Sequence, residues 1–521
     1  MLRRRADRKV PERPRNLAFK QLTAVLLSHD KLNSARPLDF LSVAALAYLA
    51  LPNFIFFLGW LRWPFAVFFS LLVASSIFVA IDWRRMVWQM PYRAPVLLMI
   101  IATAFVWSAF GGAGHFAAAT IDWTVRDAVL GDLVYGGWPV SYAERDGAHY
   151  ILRSAIGYFL PAAVLAKALG IQLADLALYL WTGLGTALFL LSLPLPRQSG
   201  WRLPLLLVLV VMFSGMDVLG VLAYQGDWPE FPGRLEWWTQ FSYSSLSGQL
   251  FWAPNHVLPI WLASSLFYRH WHHPAFPPFA LVLVSLLPIW TPFALPGLAP
   301  FLMLAALQFY VSGERRLPLL PLLSAVIVIA LMARFLTLNI GNIPTTSSIH
   351  QTHNGNGFML SYLSFTLLEF GALALALSLR LRHSYGILWG AASMLALLPF
   401  VVFGPSNDLL LRASVPSLIM LMILTLTVFQ SCSGVSTDKN TPWLIVLILT
   451  IGAFSPLYEL GRAASVRRWL PDYAQTLIDQ QGGAFPPHYV GRLDRADMRL
   501  LLRDPAIVTG REPRLPSERE K

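Results

Sequence analysis

One cysteine, Cys432, stands in 521 residues. An intrachain disulfide is therefore excluded, and so is a metal site of the cysteine-rich kind. Charge is scarce as well: 13% of the chain is Asp, Glu, Lys or Arg, where soluble domains carry about 25%. The apolar stretches lack the alternation of barrel strands. No internal repeat of about 20–50 residues stands out. A folded basic module of the kind that binds nucleic acid is also missing, so nucleic acid is not an expected partner.

What the chain has instead is apolar mass, 56% of its residues. Windows of about 20 apolar residues, each long enough to cross a bilayer as a helix, recur from Leu38 to Leu460. Inside lipid the backbone must satisfy its own hydrogen bonds, which makes helices the default. The expected fold is an all-α polytopic membrane protein with about thirteen transmembrane helices and interfacial helices in its first outer loop. The expected spans are 38–59, 62–81, 94–113, 172–194, 203–223, 255–269, 275–291, 296–312, 317–338, 358–379, 385–403, 416–431 and 442–459.

Charge sets the expected orientation. The net charge is +12, and basic residues concentrate in cytoplasmic loops. Arg84, Arg85 and Arg93 mark one such loop. Arg197 with Arg202, Arg269 with His270, His272 and His273, Arg315 with Arg316, and Arg380 with Arg382 mark the others. The intervening loops 114–171, 224–254, 339–357 and 404–415 then fall outside. Residues 1–37 form a basic cytoplasmic tail that touches anionic lipid, and no cleavable signal peptide is expected. Residues 460–521 form a small extracytoplasmic tail, in which Met498, Leu501 and Leu502 can make one apolar helix face. The segment His149–Gly170 has the hydropathy of a span. Counting it would invert every later loop, and it carries Arg153, Pro161 and Lys167, so it is expected to lie in the outer interface.

The first outer loop is the most unusual. In "TIDWTVRDAVLGDLVYGGWPV", Thr120 to Val140, Ile121, Val125, Val129 and Leu133 recur at helical spacing. Asp122 stands at the front of that helix, where a carboxylate can cap free amides. The second loop, Gly226 to His256, gathers Asp227, Glu230, Arg234 and Glu236 among tryptophans.

An acid just beyond a span, an amphipathic helix, a Trp138-Pro139 turn and a segment ending in Ala168-Leu169-Gly170 resemble the first outer loop of GT-C glycosyltransferases. Protein mannosyltransferases and the aminoarabinose transferases of lipid A are examples. The resemblance covers Gly111 to Leu195. Trp123 follows Asp122 where that superfamily often has a second acid, and the spans over 38–81 are additional. The resemblance implies a loop Asp at the active site and a polyprenyl-phosphate-linked sugar as donor. It also implies membrane lipids as partners, a glycan, lipid or protein acceptor, and a bacterial inner membrane.

An inverting transfer needs a base for the acceptor hydroxyl and positive charge on the departing phosphate. Asp122 is the expected base. Arg412, in "GPSNDLLLRASVP", can clamp phosphate through its planar fork or pair with Asp408 one turn earlier. Arg234 and Lys167 are further outer-face candidates for phosphate. Glu230, Glu236, Asp217 and Asp127 are candidates for holding acceptor or a divalent cation, Mg or Mn. Glu369, inside a span, reads as a structural acid. His350 and His353 at i, i+3 are weak metal evidence, and the histidines at 270–273 read as local charge. A secondary transporter or lipid-linked-glycan flippase is the competing expectation, followed by a non-catalytic scaffold of an envelope-polysaccharide complex.

Overall fold

The computed structural model describes residues 38–508 apart from 199, 274–275, 312–317, 344, 348–354, 382–384, 405–406 and 432–439. The basic tail, Arg315, Arg316, Arg382, His350, His353 and Cys432 lie outside the described residues. Among the described residues, eight helices are long and apolar enough to cross a membrane: Phe40–Trp60, Trp63–Ala80, Ile171–Ser192, Ala294–Val311, Leu319–Leu336, Gly357–Ser378, Asp408–Gln430 and Pro442–Ser465. The protein is thus a polytopic helical membrane protein.

The other expected spans are shorter. They are the helices Ala94–Phe110, Arg202–Val211, Pro254–His270, Phe276–Leu286 and Tyr385–Leu397. Their ends have local causes. Pro288 and Pro292 follow the helix that stops at Leu286, and proline lacks the amide that would extend it. Tyr385–Leu397 gives way to a 3-10 turn that contains Pro399. The span expected at 203–223 is broken. It stops at Val211 and restarts at Asp217, and in the gap the Met216 amide donates to the Leu368 carbonyl at 3.0 Å.

The fold is not wholly helical, which corrects the all-α expectation. Strands β1 (Val140–Arg145) and β2 (Ala148–Leu152) form an antiparallel hairpin inside the first loop. Strand β3 (Thr345–Ser347) pairs with β4 (Val401–Phe403) in a separate ribbon. The tail contributes β5 (Val490–Arg492), antiparallel to β2, and β6 (Ala506–Ile507), parallel to β1. The result is a four-stranded sheet in the order β5-β2-β1-β6. Asp146 and Gly147 turn the hairpin, both at positive φ, the turn chemistry that Asp-Gly favours.

The segment His149–Gly170 is therefore not one interfacial helix. It begins as strand and ends as the helix Leu160–Leu169, whose ten residues reach about 15 Å, half a bilayer. That helix is buried along Leu160, Ala162, Ala163 and Ala166. The tail is not a free appendage either. Met498 and Leu502 are buried while Leu501 is only partly so. The Arg62 amide donates to the Leu501 carbonyl at 2.9 Å, and the Arg503 amide donates to the Trp60 carbonyl at 2.8 Å.

These bonds place the C-terminal end of the Phe40–Trp60 helix, the hairpin and the tail on one face. At the helix's opposite end Asp39 accepts from the Ser42 amide at 3.0 Å and pairs with Arg269. His270 Nε2 lies 2.7 Å from Ser42 Oγ. Arg269 and His270 are thus buried partners in a polar network, not loop charge as expected. Their carboxylate, Asp39, starts the first described helix, and a buried cation needs such a partner. The Phe40 amide donates to the Val87 carbonyl at 3.0 Å, which puts exposed Arg84 and Arg85 on this face too.

The two faces should be separable by labelling. In a Cys432→Ser background, Glu144→Cys on the hairpin and Arg85→Cys on the opposite loop should react with an impermeant thiol reagent from opposite sides. Reaction of both from one side would contradict this arrangement.

Candidate functional site

The helix Asp122–Tyr135 organises the site. Trp123 and Arg126, three residues apart, fall on one face. Trp123 Nε1 donates to the Phe251 carbonyl at 3.1 Å, and Arg126 donates to the Trp252 carbonyl. The first loop is thereby pinned to the end of the second. Asp122, one turn earlier, makes no cap bond. The N-cap is Ile121, and no side chain caps the helix. Its carboxylate, 52% exposed, lies 3.5 Å from Arg126 and faces a cleft.

That cleft has a volume of about 540 Å³. Asp122 and Arg234 line it from the first and second loops, Asp408 and Arg412 from the short helix Asp408–Ala413, and His488 and Tyr489 from the tail. The Arg234 guanidinium sits between two rings, 3.2 Å from the centroid of Trp252 and 4.1 Å from that of Trp237. Burial lowers its pKa, opposed by Glu236, Glu459 and Asp122. Trp252 is itself fixed, its Nε1 donating to Glu459 at 3.0 Å, and Glu459 pairs with Arg462 at 3.2 Å. Arg412 pairs with Asp408 and lies 5.7 Å from the Phe293 ring. The pairing at i, i+4 thus exists, and it leaves Arg412 at the cleft wall.

Of the residues expected at a site, the structure brings together Asp122, Arg234 and Arg412. Lys167 lies elsewhere: it donates to the carbonyls of Val134 and Gly136 at 2.9 and 2.6 Å. It therefore satisfies the C-terminal end of the helix that Asp122 begins, about 20 Å away along 14 residues. Glu230 is exposed and does not line the cleft. Glu236 is buried and accepts from the amide and hydroxyl of Ser245 at 2.8 and 2.7 Å. Asp217 accepts from Ser455 Oγ at 2.6 Å and Ser214 Oγ at 3.2 Å. Trp238 Nε1 bridges Asp217 and Glu369 at 3.4 and 3.3 Å.

Asp127 belongs to a buried ion cluster. His115 Nε2 lies 3.2 Å from Asp127 and Nδ1 lies 2.9 Å from Asp175. Burial alone would lower the His115 pKa, but the two carboxylates outweigh it and push it up to about 10. Asp132 is buried too, accepting from Tyr142 Oη and the Leu477 amide, both at 2.9 Å. It ties the tail to the first loop. Among the described residues no group of three or more His, Cys, Asp and Glu is placed to hold a metal ion. Glu230 and Glu236 do not join Asp122 as a ligand set.

Sequence reasoning missed His488, Tyr489 and Arg153. Arg153 follows β2; its amide donates to the Tyr489 carbonyl at 2.7 Å, and its guanidinium donates to the Pro487 carbonyl. Burial lowers the His488 pKa, with Arg412 and Arg153 adding to the effect and Asp408 opposing it. The signal available was the stretch Phe485-Pro486-Pro487-His488-Tyr489, aromatic and rigid inside an otherwise charged tail.

Glu236 supplies a test of the second loop's packing. Burial, with Asp217 and Glu459 nearby, pushes its pKa up to about 8 against hydrogen bonds from Ser245 that lower it. A native pKa above the unfolded one means that native protein holds the proton longer. Stability is then full below the unfolded pKa, near 4.5, and declines as pH rises to about 8. Glu236→Gln should flatten that decline in thermal unfolding measured from pH 4 to 9, and an unchanged slope would contradict the assignment.

Comparison with family models, with curated proteins and with solved structures returns no match.

Proposed function

We propose that the protein is an inverting membrane glycosyltransferase. It moves a sugar from a polyprenyl-phosphate donor to a glycan, lipid or protein acceptor, with the cleft facing the outer side of a bacterial inner membrane. The observation that carries this reading is the meeting of Asp122, Arg234 and Arg412 in one open cleft, although they come from three parts of the chain far apart in sequence. A carboxylate and two guanidiniums are what the reaction needs. Asp122 takes the proton from the acceptor hydroxyl as that oxygen bonds to the sugar's anomeric carbon. The bond from that carbon to the phosphate oxygen breaks, its electron pair goes to phosphate, and Arg412 and Arg234 stabilise the charge. Arg126 holds Asp122 in place. A divalent cation, Mg or Mn, were one used, would be held by Asp122 and would add positive charge for the departing phosphate.

One observation favours the transport reading. The helix broken between Val211 and Asp217 carries a buried carboxylate opposite Glu369, which sits on a π-helical turn at Leu367–Gly371. Broken helices and acids inside spans are features of secondary transporters. The cleft residues have no place in that reading, so substitutions tell the two apart.

Asp122→Asn should lower transfer from a polyprenyl-phosphate sugar by about 10²–10⁴-fold while the thermal midpoint stays unchanged. Transfer at the wild-type rate would remove Asp122 from the chemistry. Arg412→Ala should weaken donor binding, and Arg412→Lys should keep part of it, since Lys retains charge but loses the fork. If Arg412 serves only Asp408, Asp408→Ala will destabilise the protein as much as Arg412→Ala does. Arg412→Ala will then leave donor affinity intact.

A further inference from the structure

A second cavity, about 400 Å³ in volume, lies beside the cleft. It shares Asp408, Arg412, His488 and Tyr489 with the cleft, so the two meet at Arg412. Away from that junction its walls are apolar, with Pro292, Phe293, Pro296, Ile329, Ala333 and Leu336 among them. Its volume is that of an ordinary ligand pocket. Pro296 stands near the start of the helix Ala294–Val311, and Ala333 near the end of Leu319–Leu336. Both residues are exposed, and both helices are long and apolar enough to span a membrane. The cavity therefore has a mouth on the lipid-facing side of the bundle.

Its inner end is built differently. Arg153 is only 5% exposed. One of its amino groups donates to the Pro487 carbonyl, and its Nε has no partner among the described residues. The Nε of Arg412 and the Nδ1 of His256 are likewise unpaired, and both residues line the cavity. Buried donors are normally satisfied. Two guanidiniums against the single carboxylate of Asp408 leave net positive charge where the apolar walls end. A free phosphate would find charge here but no use for the walls, and an uncharged lipid the reverse.

We infer that this cavity binds a lipid phosphate, its apolar chain entering from the membrane between Pro296 and Ala333 and its phosphate held by Arg153 and Arg412. The inference rests on the glycosyltransferase reading only for the sugar the phosphate would carry. Arg153, which the sequence reading passed over, becomes a further phosphate-binding residue beside Arg412. The phosphate lies at the passage into the cleft, so whatever it carries is presented toward Asp122.

Farnesyl phosphate, farnesol and inorganic phosphate serve as probes, with binding to the purified full-length protein measured by thermophoresis and native mass spectrometry. Farnesyl phosphate should bind, with farnesol and inorganic phosphate each weaker by about tenfold or more, the scale of a charged hydrogen bond or a buried chain. Arg153→Gln should reduce farnesyl phosphate affinity at least about tenfold and leave farnesol unchanged. Arg153→Lys covers the case in which the Gln variant does not fold, and should retain part of the affinity. Ala333→Trp should block farnesyl phosphate and farnesol alike, without altering any cleft residue. Unchanged farnesyl phosphate affinity in folded Arg153 and Ala333 variants would overturn the inference, and so would inorganic phosphate binding as well as farnesyl phosphate. The two readings fail separately. Lipid-phosphate binding without transfer of any sugar would sink the glycosyltransferase reading alone. Transfer with farnesyl phosphate affinity unaffected in the variants would sink the lipid site alone.

Discussion

Two hydrogen bonds hold the cleft together, those from Trp123 and Arg126 to the carbonyls of Phe251 and Trp252. They join loops that are more than a hundred residues apart, and Asp122 and Arg234 face one another across that junction. Trp252, once positioned, becomes the platform on which Arg234 lies, and Glu459 fixes its ring from a third direction. Asp122 owes its position to the same helix. The helix's far end is satisfied by Lys167 and its middle is locked by Asp127 and Asp132. The acids of this loop therefore divide their work. Those further along the helix are buried and structural, which leaves the first one open to solvent.

The tail completes this arrangement from the other side. Strands β5 and β6 flank the loop hairpin, and the chain just before β5 delivers His488 and Tyr489 to the place where the polar cleft meets the apolar cavity. The site is thus composite. Its carboxylate comes from the first loop, its stacked guanidinium from the second, its ion pair from the short helix Asp408–Ala413, and its aromatic wall from the C-terminal segment.

Much of this was legible in the sequence, for a physical reason in each case. Long apolar windows announce helices, because the bilayer leaves few alternatives. Asp122, Arg234 and Arg412 stood out because each lies in a polar loop beside grease. Lys167 misled, because its partners are backbone carbonyls and leave no trace in side-chain chemistry. The hairpin was hidden by its neighbour. Asp146-Gly147 is a turn signal, but the apolar run from Tyr150 to Leu169 dominates any hydropathy window. Arg269 looked like loop charge because its carboxylate, Asp39, lies 230 residues away. His488 and Tyr489 left only the aromatic, proline-rich stretch around them as a signal, and no local pattern reports that Tyr489 meets Arg153 more than three hundred residues away.

The parallel pairing of β6 with β1 has a consequence for how the protein is made. Strand β1 ends at Arg145, and its partner begins at Ala506. At about 5–20 residues per second of synthesis, the hairpin waits roughly tens of seconds with both of its edges unpaired. Unpaired edges invite the wrong neighbours. By the end of that interval the helical bundle has been synthesised, yet the wall between cleft and cavity is still missing. The last strands to be synthesised thus close the first loop to emerge, and a chain that stops short of them is left with the carboxylate and guanidiniums but no enclosed site to use them in.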